Sequence, residues 1–257
     1  MRVGVGELDG DRGDLEAQWN ALVTASIGAD IGLLVLPEMP FSRWLPTTPE
    51  VEAAAWGLAV DTHEHWCSRL GELNAEVVVT TRPILDRGVR YNEGIVWTSG
   101  ECIVGRRRKT FLPDEPGFHE ASWYERGPVA FPTIATSLGA VGLMICTELW
   151  FLEHARGLGE RGIRLLAVPR ATPVESREKW EAGVRVAAVA SGAFCLSTNR
   201  AGGRGGDTFG SGSVIADPDG LVVARSTPGT PLTLADIDLD AADRAKHSYP
   251  RYVDASS

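Results

Sequence analysis

Only four cysteines occur in the 257 residues, at positions 67, 102, 146 and 195, and no two of them form a CxxC pair. That scarcity argues against a disulfide-stapled scaffold and reads all four as free thiols. Long apolar runs are missing as well: nothing approaches the roughly 18 residues of a membrane helix, and "IGLLVLP" comes nearest. Basic charge is in deficit, with 25 Lys and Arg against 34 Asp and Glu and a net charge of -9. This speaks against a nucleic-acid or anionic-membrane partner, and the local run of Arg106, Arg107, Arg108 and Lys109 does not reverse it. The opening "MRVGVGELDGD" carries acids where a signal peptide carries an apolar segment, so the expected location is cytoplasmic.

Several chemical signatures are also absent. No GxSxG occurs, which removes the serine nucleophile elbow of an α/β-hydrolase. The glycine-rich "AGGRGGD" lacks the lysine and hydroxyl residue of a phosphate loop and reads as a mobile turn that could rim a pocket. "SREK" fits SxxK, but without SDN and KTG it reads as a helix-start serine. His63 and Cys67 stand one helical turn apart in "HEHWC", yet His65 points elsewhere and zinc wants three or four ligands, so no metal is expected.

The residues that are there read as one compact chain. A content of 44% hydrophobic and 23% charged residues is that of an ordinary globular protein, which leaves neither disorder nor a fibrous repeat as the class. "VGVGEL" predicts a strand; Leu15, Trp19, Leu22, Val23 and Ile27 recur at helical spacing; "IGLLVLP" predicts a buried strand. A helix over about 51–70 leads to the strand "EVVVT". Two hairpins follow, "GIVWTSGECIVGRRRK" turning at Ser99 and Gly100, and "FPTIATSLGAVGLMIC" turning at Leu138 and Gly139. After Cys146 come a helix over about 150–161, the strand "IRLLAVP", a helix over about 175–191, and the strands "AFCLSTN", "GSVIAD", "LVVARS" and "PLTLADIDL". No linker or repeat breaks this order, so 1–257 is expected to be one domain with a C-terminal tail from about 240, built of layered sheets with helices on their outer faces.

Three residues sit at the ends of strand patterns, where open α/β sheets place ligands. Cys146 follows five apolar residues and precedes "TE" and a helix. It is either a packed core residue or a nucleophile whose thiol is acidified by a helix N-terminus or a cation. Glu38 follows "LLVLP" and is either a general base or a loop acid paired with Arg43. Lys109 ends "CIVGRRRK" and is either a donor to an oxyanion or the last member of a solvated basic run.

Taken together, Glu38 in "LPEMPF", Lys109 in "RRRKTFLPDEPGFHE" and Cys146 in "ICTELWFLEHAR" resemble the nitrilase superfamily of carbon-nitrogen hydrolases. The resemblance continues through "NRAG" and "GSGSVIADPDG" to the final strand, and so covers nearly the whole chain. It implies a four-layer α-β-β-α sandwich. It also implies Cys146 as nucleophile, Glu38 as base, and Lys109 with the backbone amide of Thr147 as oxyanion donors. Glu120 would be the second glutamate that orients Lys109, with Asp114 and Glu115 as nearby decoys.

The reaction implied is cleavage of a small-molecule amide or nitrile through a thioester, with no metal or organic cofactor. An amidase or ω-amidase comes first, a nitrilase or N-carbamoyl hydrolase second. An acyltransferase or a catalytically retired binding protein are the readings of another class. A homodimer or larger homo-oligomer is implied as well. The chain departs from the family pattern in two places after the cysteine, where Thr147 replaces an aromatic residue and Leu152 a proline. Glu153 and Arg156 read as an ion pair on the following helix. Arg170, in "RATP" after a strand, either binds a substrate carboxylate or pairs with Glu148 or Glu175. His119 reads as a pocket wall or a surface residue.

Overall fold

The computed structural model describes residues 1–11, 14–201 and 209–253. The glycine-rich turn expected at 201–207 lies, after Ala201, outside the described residues. In chain order the elements begin with β1 (Arg2–Gly6), α1 (Leu15–Ser26), β2 (Ile31–Val35), α2 (Ala53–Ser68), β3 (Ala75–Asp86), β4 (Val89–Thr98) and β5 (Cys102–Arg108). The second half holds α3 (Glu120–Trp123), β6 (Ile134–Thr136), β7 (Gly139–Leu143), α4 (Leu152–Glu160), β8 (Leu165–Pro169) and α5 (Arg177–Ser191). It closes with β9 (Phe194–Thr198), β10 (Val214–Ala216), β11 (Val222–Arg225), β12 (Leu232–Asp236) and α6 (Leu239–Lys246).

Two six-stranded sheets result, ordered β12-β1-β2-β3-β4-β5 and β11-β10-β9-β8-β7-β6. In each, a parallel trio (β1, β2, β3 and β7, β8, β9) is extended by antiparallel neighbours. Side chains of a strand alternate between its two faces, and β3 shows what that alternation decides. Val77 and Val79 join Val141, Leu143 and Val168 in the core between the sheets. Val78 turns the other way, toward Trp19 and Leu22 of α1, Trp66 of α2 and Leu70 in the turn that follows α2. On the opposite flank α4 and α5 cover the second sheet with Ala155, Leu158, Val184 and Ala187. This is the four-layer α-β-β-α sandwich in a single domain.

Burial rather than capping holds the outer helices. α1 has no side-chain cap at its N-terminus, but Trp19 and Leu22 are fully buried, and a large apolar side chain removed from water contributes about 1.5–3 kcal/mol. That exceeds the roughly 1 kcal/mol of a typical cap. Ile27, expected on the same apolar face, instead ends the helix and is exposed. At α4, Gly159 permits a close crossing with α5: a Cβ there would stand 2.1 Å from the Ser191 carbonyl oxygen.

Other differences follow from tertiary contacts. β3 runs well past "EVVVT" because β4 pairs with it from Val77↔Thr98 to Asp86↔Val89. The tail expected from about 240 begins as α6, which starts on the Asp238 cap and buries Ala242. Among the described residues no helix is long and apolar enough to cross a membrane.

Candidate active site

The parallel strands of both sheets end on the same side, and the loops that leave β2, β5, β7 and β8 meet there. Glu38 follows β2. Its loop is fixed by Leu36 N–H donating to Val79 O (2.8 Å) and Met39 N–H to Thr81 Oγ1 (2.9 Å), and it touches the second sheet through Glu38 N–H to Arg170 O (3.4 Å). Arg200 braces the same loop from beneath, donating to the Met39 (2.5 Å) and Ser42 (2.8 Å) carbonyls and to Asp11 Oδ2 (2.9 Å). The Glu38 carboxylate is completely buried, so its expected alternative as a loop acid paired with Arg43 is replaced; Arg43 pairs with Glu52 at the surface.

Lys109 stands one residue beyond β5, its N–H held by the Asn92 carbonyl at 2.9 Å. Its Nζ donates to Glu38 Oε1 at 2.8 Å and to Glu120 Oε1 and Oε2 at 2.8 and 2.6 Å. All three side chains are buried. Burial would push the ammonium down, but Glu120 and Glu38 outweigh it and hold Lys109 above its ordinary value. For Glu120 the balance differs: burial, opposed by Lys109 and aided by Glu38, pushes its carboxyl up to about 7. The Tyr124 hydroxyl also donates to Glu120 Oε2.

The basic run is therefore not a solvated patch. Its three arginines reach three different carboxylates: Arg106 Glu93, Arg108 Asp86 and Arg107, buried, Glu148.

Cys146 lies three residues past β7, at φ +48° and 4% exposed. A non-glycine residue in the left-handed region costs on the order of 1–3 kcal/mol and persists only where its surroundings impose it. Glu148 imposes it here. Its Oε2 accepts from Ile145 N (2.6 Å) and from Arg107, and its Oε1 accepts from Thr110 N (2.7 Å) and Arg107 (2.9 Å). One buried carboxylate thus ties the cysteine turn to the loop that follows Lys109.

The thiol contacts the Ala171 carbonyl at 3.8 Å. Burial first and Glu38 second raise its pKa, with Lys109 opposing. The expected acidification of Cys146 is therefore reversed, and the resting thiol keeps its proton. Cys67 and Cys195 are buried within α2 and β9, and Cys102 is exposed at the start of β5.

The structure thus brings Glu38, Lys109 and Glu120 into one hydrogen-bonded cluster, and sets Cys146 within electrostatic reach of it. Thr147 follows in the short 3-10 turn Cys146–Trp150, whose first N–H groups have no acceptor inside the turn. Arg170 takes neither of its expected partners. It donates to Ser197 Oγ (3.0 Å), Thr172 Oγ1 and the Gly212 carbonyl, while Glu148 belongs to Arg107. It clamps the segment around Gly212 to the ends of β8 and β9. With no carboxylate in contact among the described residues, burial lowers its pKa to about 10.

His119 hydrogen-bonds Asp114 at 3.0 Å near the surface, and His63 is a core residue between Ala59 O (2.7 Å) and Phe41 N–H (3.3 Å). Arg156 pairs with Glu160, four residues on, and not with Glu153. Among the described residues no group of His, Cys, Asp and Glu could hold a metal ion.

Sequence reasoning missed Arg107, Glu148, Asn92 and Tyr124. A strand alternation that turns Arg107 inward between Arg106 and Arg108, and an asparagine inside a strand pattern where that residue is depleted, were the available signals.

The family model described as carbon-nitrogen hydrolase matches residues 3–247. Over 180 residues the chain is 29% identical to N-carbamoylputrescine amidase of Solanum tuberosum, a span of 64% of this chain and 60% of that protein. Over 168 residues it is 31% identical to deaminated glutathione amidase of Mus musculus, 62% of this chain and 52% of that protein. The alignments therefore span between about half and three-fifths of these curated relatives' length. Among solved structures, a carbon-nitrogen hydrolase from Helicobacter pylori superposes with a TM-score of 0.85 at 24% identity, covering 98% of this chain and 94% of that one, a likeness of fold. Because the family match runs over nearly the whole chain, the chain belongs to the carbon-nitrogen hydrolase family.

Proposed function

We propose that the protein is an amidase that hydrolyses a small-molecule amide through a thioester on Cys146. The observation that carries this reading is the buried Glu38–Lys109–Glu120 cluster beside a buried cysteine, in which Glu38 Oε2 has no hydrogen-bond partner among the described residues. A protonated thiol needs a base, and an unpartnered carboxylate oxygen is one.

In the first half-reaction Glu38 Oε2 takes the Sγ proton and the thiolate attacks the amide carbon. The carbonyl oxygen becomes an oxyanion that Lys109 Nζ and the Thr147 N–H stabilise. Collapse breaks the C–N bond, and the nitrogen leaves as ammonia with the proton that Glu38 returns. In the second half Glu38 deprotonates a water molecule, which attacks the thioester. The carboxylic acid departs and Cys146 regains its proton. Glu120 holds Lys109 in place throughout, and Tyr124 holds Glu120.

The amidase names of the two curated relatives favour amides and carbamoyl compounds over nitriles for the same site. The test is ammonia release by wild type and Cys146→Ala over amides, ω-amides, carbamoyl compounds and nitriles. Release by wild type alone is expected, with amides preferred. Equal release by both proteins, or silence across the panel, overturns the reading. A homodimer or larger assembly is also proposed, and light scattering at the monomer mass would refute it.

A further inference from the structure

A carboxylate base has two oxygens, and its efficiency depends on which of them faces the proton. Glu38 Oε1 is occupied twice, by Lys109 Nζ (2.8 Å) and by Asn92 Nδ2 (2.8 Å), while Oε2 has no partner among the described residues. Asn92 is 1% exposed in the middle of β4, where asparagine is disfavoured, and among the described residues its own Oδ1 has no hydrogen-bond partner. A buried unsatisfied amide oxygen costs on the order of 1–3 kcal/mol.

From this we infer that Asn92 is a positioning residue for the base: it fixes the Glu38 carboxylate so that Oε2 is the atom presented to the Cys146 thiol. The inference rests on the amidase reading above. Lys109 alone cannot fix the carboxylate, because a single ammonium contact leaves rotation about the terminal carboxyl bond free. A second donor on the same oxygen defines the plane. Asn92 also supplies the carbonyl that holds Lys109 N–H at 2.9 Å, so one residue sets the relative position of base and oxyanion donor. Its amide lies beside the Tyr124 phenol too, where it opposes the upward push of burial and Glu120 on that hydroxyl.

The test uses Asn92→Leu, close in volume and without a donor, and Asn92→Ser, which retains a hydroxyl too short to reach Glu38. Both are made in a Cys102→Ser background that removes the exposed thiol. Two readouts are compared with the parent: steady-state kinetics on the best amide of the panel, and the rate of Cys146 alkylation by iodoacetamide, followed by intact mass. Expected is a loss of about 10–100-fold in kcat with KM changed less than threefold, since general-base catalysis contributes about 100-fold or more. Cys146 alkylation at pH 7 should slow about tenfold.

A kcat within threefold of the parent, or an unchanged alkylation rate in a variant with lowered melting temperature, overturns the proposal and leaves Asn92 a structural residue. Alkylation needs no amide turnover, so it reads the role of Asn92 even if the parent hydrolyses nothing in the panel. Should Asn92→Leu fail to fold, Asn92→Ser carries the same two readouts.

Discussion

Replacing Arg107 by methionine tests how the cysteine turn is held. The Arg107 guanidinium donates from two nitrogens to Glu148, a side chain with no exposed surface. It also lies 4.2 Å from the centre of the Phe131 ring. Methionine keeps much of the apolar stem against that ring and removes the charge. Glu148 is left with its two backbone donors, Thr110 and Ile145, and no counter-charge.

Breaking one side of a buried pair costs about 3–5 kcal/mol, because the remaining charge has no compensation. At about 2–4 °C per kcal/mol for a chain of this size, the melting temperature should fall by roughly 6–20 °C. The second substitution decides the cause. In Arg107→Met with Glu148→Gln neither charge of this buried pair remains, and the amide can still accept from Ile145 or Thr110. At least about 2 kcal/mol of the loss should return as positive coupling in the double-mutant cycle. Urea or thermal unfolding of the four proteins gives the cycle directly. A cost under about 1 kcal/mol for Arg107→Met, or a double variant no more stable than the single, would refute the claim that Glu148 needs its arginine.

Lys109→Met should lower kcat by about 100-fold to 1000-fold, the usual cost of one oxyanion donor, and single-turnover acylation measures it. Glu120→Gln should change how stability depends on pH. The carboxyl rises from 4.5 to about 7 in the fold, so its contribution is complete below pH 4.5 and is lost as pH rises through 7. Melting curves from pH 4.5 to 7.5 should show wild type losing on the order of 1–3 kcal/mol that the glutamine variant does not lose. Arg170→Met should weaken turnover of acidic and neutral amides alike, because its donors serve Ser197, Thr172 and Gly212; a KM rise confined to acidic amides would contradict this. Gly159→Ala should destabilise by about 2 kcal/mol or more, since its Cβ would meet backbone rather than a movable side chain, and a neutral result in urea unfolding would refute the close crossing of α4 and α5.

What the sequence determined by itself is local or periodic. Apolar runs of strand length set β2, β3 and β9, hairpin turns set the β4–β5 and β6–β7 pairs, and the strand-end positions of Glu38, Lys109 and Cys146 needed only the strands to be recognised. Where helix or strand bounds moved, a neighbour extended or cut them, as β4 did for β3. The remaining features arise between residues far apart in the chain, and pattern cannot reach them. Arg107 and Glu148 are separated by 41 positions and Lys109 and Glu38 by 71. The direction of the Cys146 shift was misjudged for the same reason. A cation nearby suggests an acidic thiol, but only the tertiary structure decides how much water is excluded and that two carboxylates already claim the cation's charge. Sequence thus chose which groups stand at the strand ends, and packing chose their partners, their protonation and which oxygen of Glu38 the Lys109 and Asn92 donors occupy.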